Sequence, residues 1–268
     1  MPQKNSRKRP WSHVNPSRGG PGILLTCESG RERKCWREAQ ALLQHFGPAA
    51  ASKTTEQQSL DEEIASLKKA KPVFQEFETN CRGVVVLLYK PDDDDNTATT
   101  SHNWDPVALV HRILTAGTDD APSSRFISRI LPLQRTCYTN LDEIYETVLA
   151  LLPPTNQQPT FAVYVKRRNC TTQLTTEAII DKIATHCIQD LKWTVQLQEP
   201  DVEIWVEICQ TLVGVSVLCG EATRKSWNLV QARAEKSIEK ELSAEKEMST
   251  DRKEEAASPA GEEEKEDK

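Results

Sequence analysis

Phe161-Ala162-Val163-Tyr164-Val165-Lys166-Arg167-Arg168-Asn169 is the stretch from which the fold reads outward. Phe161, Val163 and Val165 alternate with smaller or amphipathic side chains, the period of a half-buried strand. The strand then runs into three consecutive cations, which cannot all point the same way and are expected to fan out on a loop. Two planar guanidinium groups beside an ammonium suit phosphate, because the guanidinium fork matches its oxygens two at a time. A solvated charge cluster at a strand end fits the same residues equally well.

The neighbours of this strand set its context. Upstream, Asn140 caps a helix with Glu143 three residues on. Leu141, Ile144, Tyr145, Val148, Leu149 and Leu152 form its apolar stripe, and Pro153-Pro154 end it. Downstream, Ile180, Ile183, Ala184, Cys187, Ile188 and Leu191 recur at helical spacing. Strands are expected over 193–197, 202–209 and 212–218. In the middle one Val202, Ile204, Val206 and Ile208 share a face, with Glu203, Trp205 and Glu207 opposite. Helix, strand, helix and three strands make an α/β unit over 139–231.

A second pattern precedes it. Gly22 to Cys27 reads as a strand, and Lys34 to Phe46 as a helix with Trp36, Ala39, Leu43 and Phe46 on one face, closed by Gly47-Pro48. Ser59 with Glu62 opens a short helix to Ala70. Strands follow at 73–78 and 83–89, then a loop opened by Asp92 to Asp95. Asp105-Pro106 starts the next helix, and Phe126 to Tyr138 is extended with Pro132 marking an edge or a bend. Strand, helix, two strands, helix, strand is the split βαβ order, so residues 21–138 are expected to form a ferredoxin-like unit. The fold class is therefore α+β: two units, flanked by a disordered basic arm over 1–20 and a charged, low-complexity acidic tail over 232–268.

Charge narrows the function. Residues 1–20 hold five cations and no acid, and residues 232–268 hold thirteen acids against eight cations. The body between them is net negative within a chain of net charge -6, which counts against a protein that coats nucleic acid indiscriminately and makes any RNA site a local patch. No apolar run is long enough to span a membrane. Residues 1–20 lack the apolar segment of a signal peptide, so the eight cysteines are expected as thiols in a reducing compartment. None lies in a C-x-x-C pair, which argues against structural zinc. There is no glycine-rich phosphate loop, no G-x-G-x-x-G after a strand and no H-E-x-x-H, so neither a catalytic residue nor a cofactor is assigned.

Several pieces of the chain bear a family likeness: Gly22 to Cys27, Glu32 to Cys35, Arg129 to Leu133, Thr136-Cys137, Phe161 to Asn169, Val206 to Ile208 and Trp227 to Leu229. In this order they resemble the stand-alone THUMP proteins that assist tRNA cytidine acetylation, and residues 139–219 look like the THUMP domain itself. Trp227 stands where an aromatic is usual, and the departure is a polar insertion over 91–103. The resemblance implies a non-catalytic adaptor. It would bind serine or leucine tRNA and present a D-arm cytidine to a separate RNA cytidine acetyltransferase, with neither membrane nor DNA as a partner. It also implies a nuclear or nucleolar protein, with the cytoplasm as a further location, and the Lys4 to Arg9 start suits either a nuclear address or an RNA-gripping arm.

The residues expected to contact RNA are Lys166, Arg167, Arg168 and Asn169, then Arg125 and Arg129, and behind them Arg135, Arg224 and Lys225. Asn169 offers an amide that can bond a ribose or a base. Arg31, Arg33, Lys34 and Arg37 form a further cluster on the first helix, read equally as a solvated face. Two other functions fit parts of the chain: a scaffold whose THUMP unit no longer binds RNA, and a modifying enzyme with its own catalytic module. Only 37 low-complexity residues follow Gln231, too few for such a module.

Overall fold

A computed structural model describes residues 18–47, 74–90, 105–116, 121–154, 157–170, 173–220 and 227–238. The expected helix from Ser59 to Ala70, the four-aspartate loop, Arg224, Lys225, residues 1–17 and everything after 238 lie outside them. The molecule is a mixed α/β protein with two sheets. Among the described residues no helix is long and apolar enough to cross a membrane.

The first sheet is built from β1 (Gly22–Thr26), β2 (Phe74–Phe77), β3 (Val84–Tyr89) and β4 (Arg129–Leu133), with α1 (Glu32–Phe46) and α2 (Pro106–Thr115) between them. Its order is β2-β3-β1-β4 and every pairing is antiparallel. Asp105 caps α2 by accepting from the Val107 amide at 2.8 Å, and Pro106 at the first turn loses no hydrogen bond by lacking an N–H. Cys35, Ala39, Leu42 and Leu43 of α1 and Leu109, Val110, Ile113 and Leu114 of α2 are buried in the same cluster as β1 and β3.

The second sheet contains β5 (Arg135–Tyr138), β6 (Thr160–Arg168), β7 (Thr194–Val195), β8 (Val202–Cys209) and β9 (Leu212–Cys219), in the order β5-β9-β8-β6-β7. β6 runs parallel to β7 and β8, while β9 is antiparallel to β8 and β5. Helices α3 (Leu141–Leu149) and α4 (Thr176–Gln189) bury Ile144, Val148, Ile179, Ile183 and Cys187 against Phe161, Ile204, Val206 and Val215. Asn140 and Thr175 cap them through their side-chain oxygens.

Two expectations change, and one burial was not anticipated. The extended stretch from Phe126 to Tyr138 is two strands in different sheets, divided at Gln134. Residues 129–133 pair with β1; then the Gln134 amide reaches Val215 O at 3.0 Å and the chain joins β9. Pro132 lies within β4 two residues before that change, and its carbonyl accepts from the Ser216 hydroxyl of the second sheet at 2.6 Å. The strand expected over 193–197 shortens to Thr194–Val195, because positive φ at Lys192 and Glu199 turns the backbone on either side. Lastly, all eight residues of β8 are buried, including Glu203, Trp205 and Glu207.

That last burial arises because the second sheet lays its helix-free face on the first sheet. Trp205, Cys209, Leu212 and Leu218 belong to the same buried cluster as Leu131 and Leu133. At Gly214 the approach is so close that a Cβ would lie 2.5 Å from Leu133 Cδ2. Trp227 and Leu229 return to the first unit: Ile130 N donates to Trp227 O and Leu229 N to Ser128 O, both at 3.0 Å. All eight cysteines are free thiols.

Candidate nucleic-acid interface

Lys166, Arg167 and Arg168 are the last three residues of β6, not a loop. Parallel pairing with β8 continues through Lys166↔Glu207, Arg167↔Ile208 and Arg168↔Cys209, so the strand's alternation separates the three side chains. Lys166 and Arg168 share the face that carries Tyr164, Trp205 and Glu207, toward the first unit; Arg167 is exposed on the other.

Glu207 organises the cations. Its side chain is 2% exposed, and its Oε2 is ion-paired and hydrogen-bonded with the Arg168 guanidinium, which is 25% exposed. Burial pushes the Glu207 carboxyl above its ordinary range, while Arg168, Lys166 and Arg129 pull it back down. For Arg168, burial works against the charge, but the charge of Glu207 and its hydrogen bond prevail and hold the guanidinium's pKa up. Lys166 is lowered by burial, with Glu207 offsetting and Arg129 and Arg168 adding to the effect. Its Nζ stands 5.1 Å from the Trp205 ring centroid, and Tyr164 stacks on that ring at 4.6 Å. Thus Arg168 pairs directly with Glu207, Lys166 and Arg129 act on the same carboxylate electrostatically, and these three cations outnumber the two buried acids of this face, Glu207 and Glu203, by one.

The other expected residues scatter. Asn169 lies just past β6 with φ +50° and donates from Nδ2 to Asn80 O at 3.0 Å, so its amide nitrogen is engaged within the protein. Arg125 is exposed; its backbone amide, with those of Phe126 and Ile127, donates to the Glu38 carboxylate at 2.9, 2.8 and 3.3 Å. Arg125 thereby adjoins a second cationic group, in which Lys34 and Arg31 lie 4.8 and 6.0 Å from the Phe126 ring centroid. Arg135 stands apart from both. It lies on β5, three strand spacings or roughly 14 Å from β6. Its register partner Val215 faces the helices, and it lines a cleft of about 340 Å³ with Arg18, Tyr138, Glu143 and Glu146. Arg224 and Lys225 lie outside the described residues.

Sequence reasoning missed Glu207, Trp205 and Tyr164. A glutamate in a strand of valine and isoleucine was the available signal, since a buried acid needs a cationic partner. No group of three or more His, Cys, Asp and Glu side chains able to hold a metal ion occurs among the described residues.

Residues 138–218, from the end of β5 almost to the end of β9, match the THUMP domain family. The chain is also similar to the human THUMP domain-containing protein 1: 26% identical over 236 residues, covering 79% of this chain and 63% of that one. It therefore spans less than two thirds of that relative's length. Among solved structures, PH1313 from Pyrococcus horikoshii aligns with a TM-score of 0.43 and 16% identity, over 75% of this chain and 56% of that one. A 4-thiouridine synthetase in complex with RNA and bound ATP aligns with a TM-score of 0.33 and 12% identity, over 74% and 42%. The chain thus contains a THUMP domain.

Proposed function

We propose that this THUMP-domain chain binds tRNA at the junction of its two units and presents it to an RNA cytidine acetyltransferase, having no catalytic step of its own. One observation carries the reading: in a chain of net charge -6, cations from both units converge on a single buried carboxylate and leave a local positive surplus. RNA helices offer side chains little but phosphates, 2′-hydroxyls and shape, so a compact cationic junction beside a half-buried aromatic suits a backbone or an unpaired end. The first unit, read as a ferredoxin-like platform, contributes Arg129 and the Arg31, Lys34 and Arg125 group. The similarity to the human relative supports a role in tRNA modification; the acetylcytidine product, the serine and leucine tRNAs and a nuclear or nucleolar location are part of this reading.

The test compares the full chain with Lys166→Ala, Arg129→Ala and their combination, binding an unmodified leucine tRNA transcript across a salt series. Arg168 is left in place because it neutralises Glu207. Each lost phosphate contact is expected to weaken binding and to flatten the salt slope by about one unit, so the double variant loses about two. Adding each protein to the acetyltransferase then reads presentation separately. Wild-type affinity and slope in the double variant would refute the site; tight binding that never stimulates acetylation would refute the adaptor role.

A further inference from the structure

Five non-glycine residues of the described chain have positive φ, and three of them meet at one place: Asn80 at +50°, Asn169 at +50° and Gln210 at +55°. They come from three different turns. Asn80 lies between β2 and β3 of the first unit, Asn169 follows β6, and Gln210 turns β8 into β9. Left-handed backbone is uncommon outside glycine, tolerated best by asparagine, and persists where surrounding contacts hold it. Here the contacts are mutual. Asn169 Nδ2 donates to Asn80 O at 3.0 Å, Asn80 Nδ2 donates to Gln210 Oε1 at 3.3 Å, and the Gln210 amide donates to Arg168 O at 3.1 Å. The Arg168 carbonyl also accepts from the Cys81 thiol at 3.5 Å, and the Gln210 carbonyl from the Thr139 hydroxyl at 3.1 Å.

We propose that Asn80, Asn169 and Gln210 form a latch that fixes the angle between the two units, and through it the position of Arg129 relative to Lys166 and Arg168. This makes the three positioning residues, and Asn169 a brace instead of a reader of RNA; the RNA part of the inference rests on the binding site proposed above. The chain passes between the sheets at Gln134 and returns to the first unit at Trp227, and the contact between the units combines a large apolar cluster with hydrogen bonds such as Gly19 N to Thr136 O at 2.7 Å and Ser216 Oγ to Pro132 O at 2.6 Å. Apolar burial is non-directional and tolerates small rotations, whereas a closed set of hydrogen bonds tolerates few. The latch closes on the backbone of Arg168, so any opening there moves the second unit's cations directly.

Glycine holds φ near +50° without strain, so Asn169→Gly and Gln210→Gly remove only the side-chain amides. Each is made in the full chain, singly and together. Two readouts are taken: the relative orientation of the two sheets by residual dipolar couplings of the free protein, and affinity for the leucine tRNA transcript. The latch predicts a changed orientation in both single variants. It also predicts similar losses of affinity, roughly three- to tenfold each, with a double variant little worse than either. An orientation identical to wild type in the single variants overturns it. So does full affinity in Gln210→Gly beside a loss in Asn169→Gly, the pattern of direct RNA contact by Asn169. The orientation readout needs no RNA, so failure of the latch and failure of the RNA site are separable: a wild-type chain that binds no tRNA leaves the angle measurement standing.

Discussion

Changing Arg168 to alanine should destabilise this protein more than changing any other cation at the interface. Glu207 is 2% exposed and its Oε1 has no hydrogen-bond partner among the described residues, so removing Arg168 strands a carboxylate away from water. Breaking a buried pair from one side costs about 3–5 kcal/mol. The lower end, ~3 kcal/mol, applies here because Arg168 is itself 25% exposed and Lys166 and Arg129 stay close to the carboxylate. At about 2–4 °C per kcal/mol for a chain of this size, the melting temperature should fall by roughly 6–12 °C. Glu207→Gln should cost less, about 1–2 kcal/mol, since a partly exposed arginine can turn to water and an amide is far cheaper to bury than a charge. The double variant should then be more stable than Arg168→Ala alone. Urea denaturation of the three variants measures the cycle. A loss below about 1 kcal/mol for Arg168→Ala, or strict additivity in the double variant, would refute the claim that Glu207 depends on its partner.

Gly214→Ala forces a Cβ to 2.5 Å from Leu133 Cδ2 and should cost about 1–3 kcal/mol by overpacking; on a Leu133→Ala background the same change should cost almost nothing, which denaturation of the pair would show. Glu207 should also leave a signature in acid. Burial raises its pKa above the ordinary 4.5, so the folded state holds the proton more tightly than the unfolded chain. Its contribution therefore improves as pH falls from neutral and is complete below about 4.5. The stability difference between wild type and Glu207→Gln should move in favour of wild type over that window, and a flat or opposite trend in pH-dependent denaturation would count against the burial argument.

Much of this architecture was legible in the sequence. The helices announce themselves by caps and stripes: Asp105-Pro106, Asn140 with Glu143, and Ile183 with Cys187 each predict what the structure contains. Periodicity in β8 correctly groups Val202, Ile204, Val206 and Ile208 on one face. What a period of two cannot reveal is whether the opposite face meets water or another sheet, and here it meets another sheet, which is why Glu207 was given no role. The division of 126–138 at Gln134 is hidden for a related reason. Both halves are extended and apolar, and only the pairing partners, β1 and then β9, distinguish them. Of the site, Lys166, Arg168 and Arg129 converge on Glu207, whereas Arg135 faces elsewhere and the Asn169 amide nitrogen bonds within the protein. Sequence spacing has no term for distance across two sheets.

The return of Trp227 and Leu229 to β4 has a consequence for how the chain is made. Ile130 and Ser128 bond to residues roughly a hundred positions further along, and Trp227 and Leu229 complete the cluster to which Leu24, Val86 and Leu131 belong. During synthesis the first unit emerges from the ribosome before the segment that completes it exists, and Trp205 and Leu218 of β8 and β9 also arrive late to the same cluster. The amino-terminal sheet must therefore wait, with one apolar face uncovered, until translation has passed residue 229. Such a chain matures as one body, its first-made half and its last-made residues closing together, and nascent-chain proteolysis should find the early strands open until that moment.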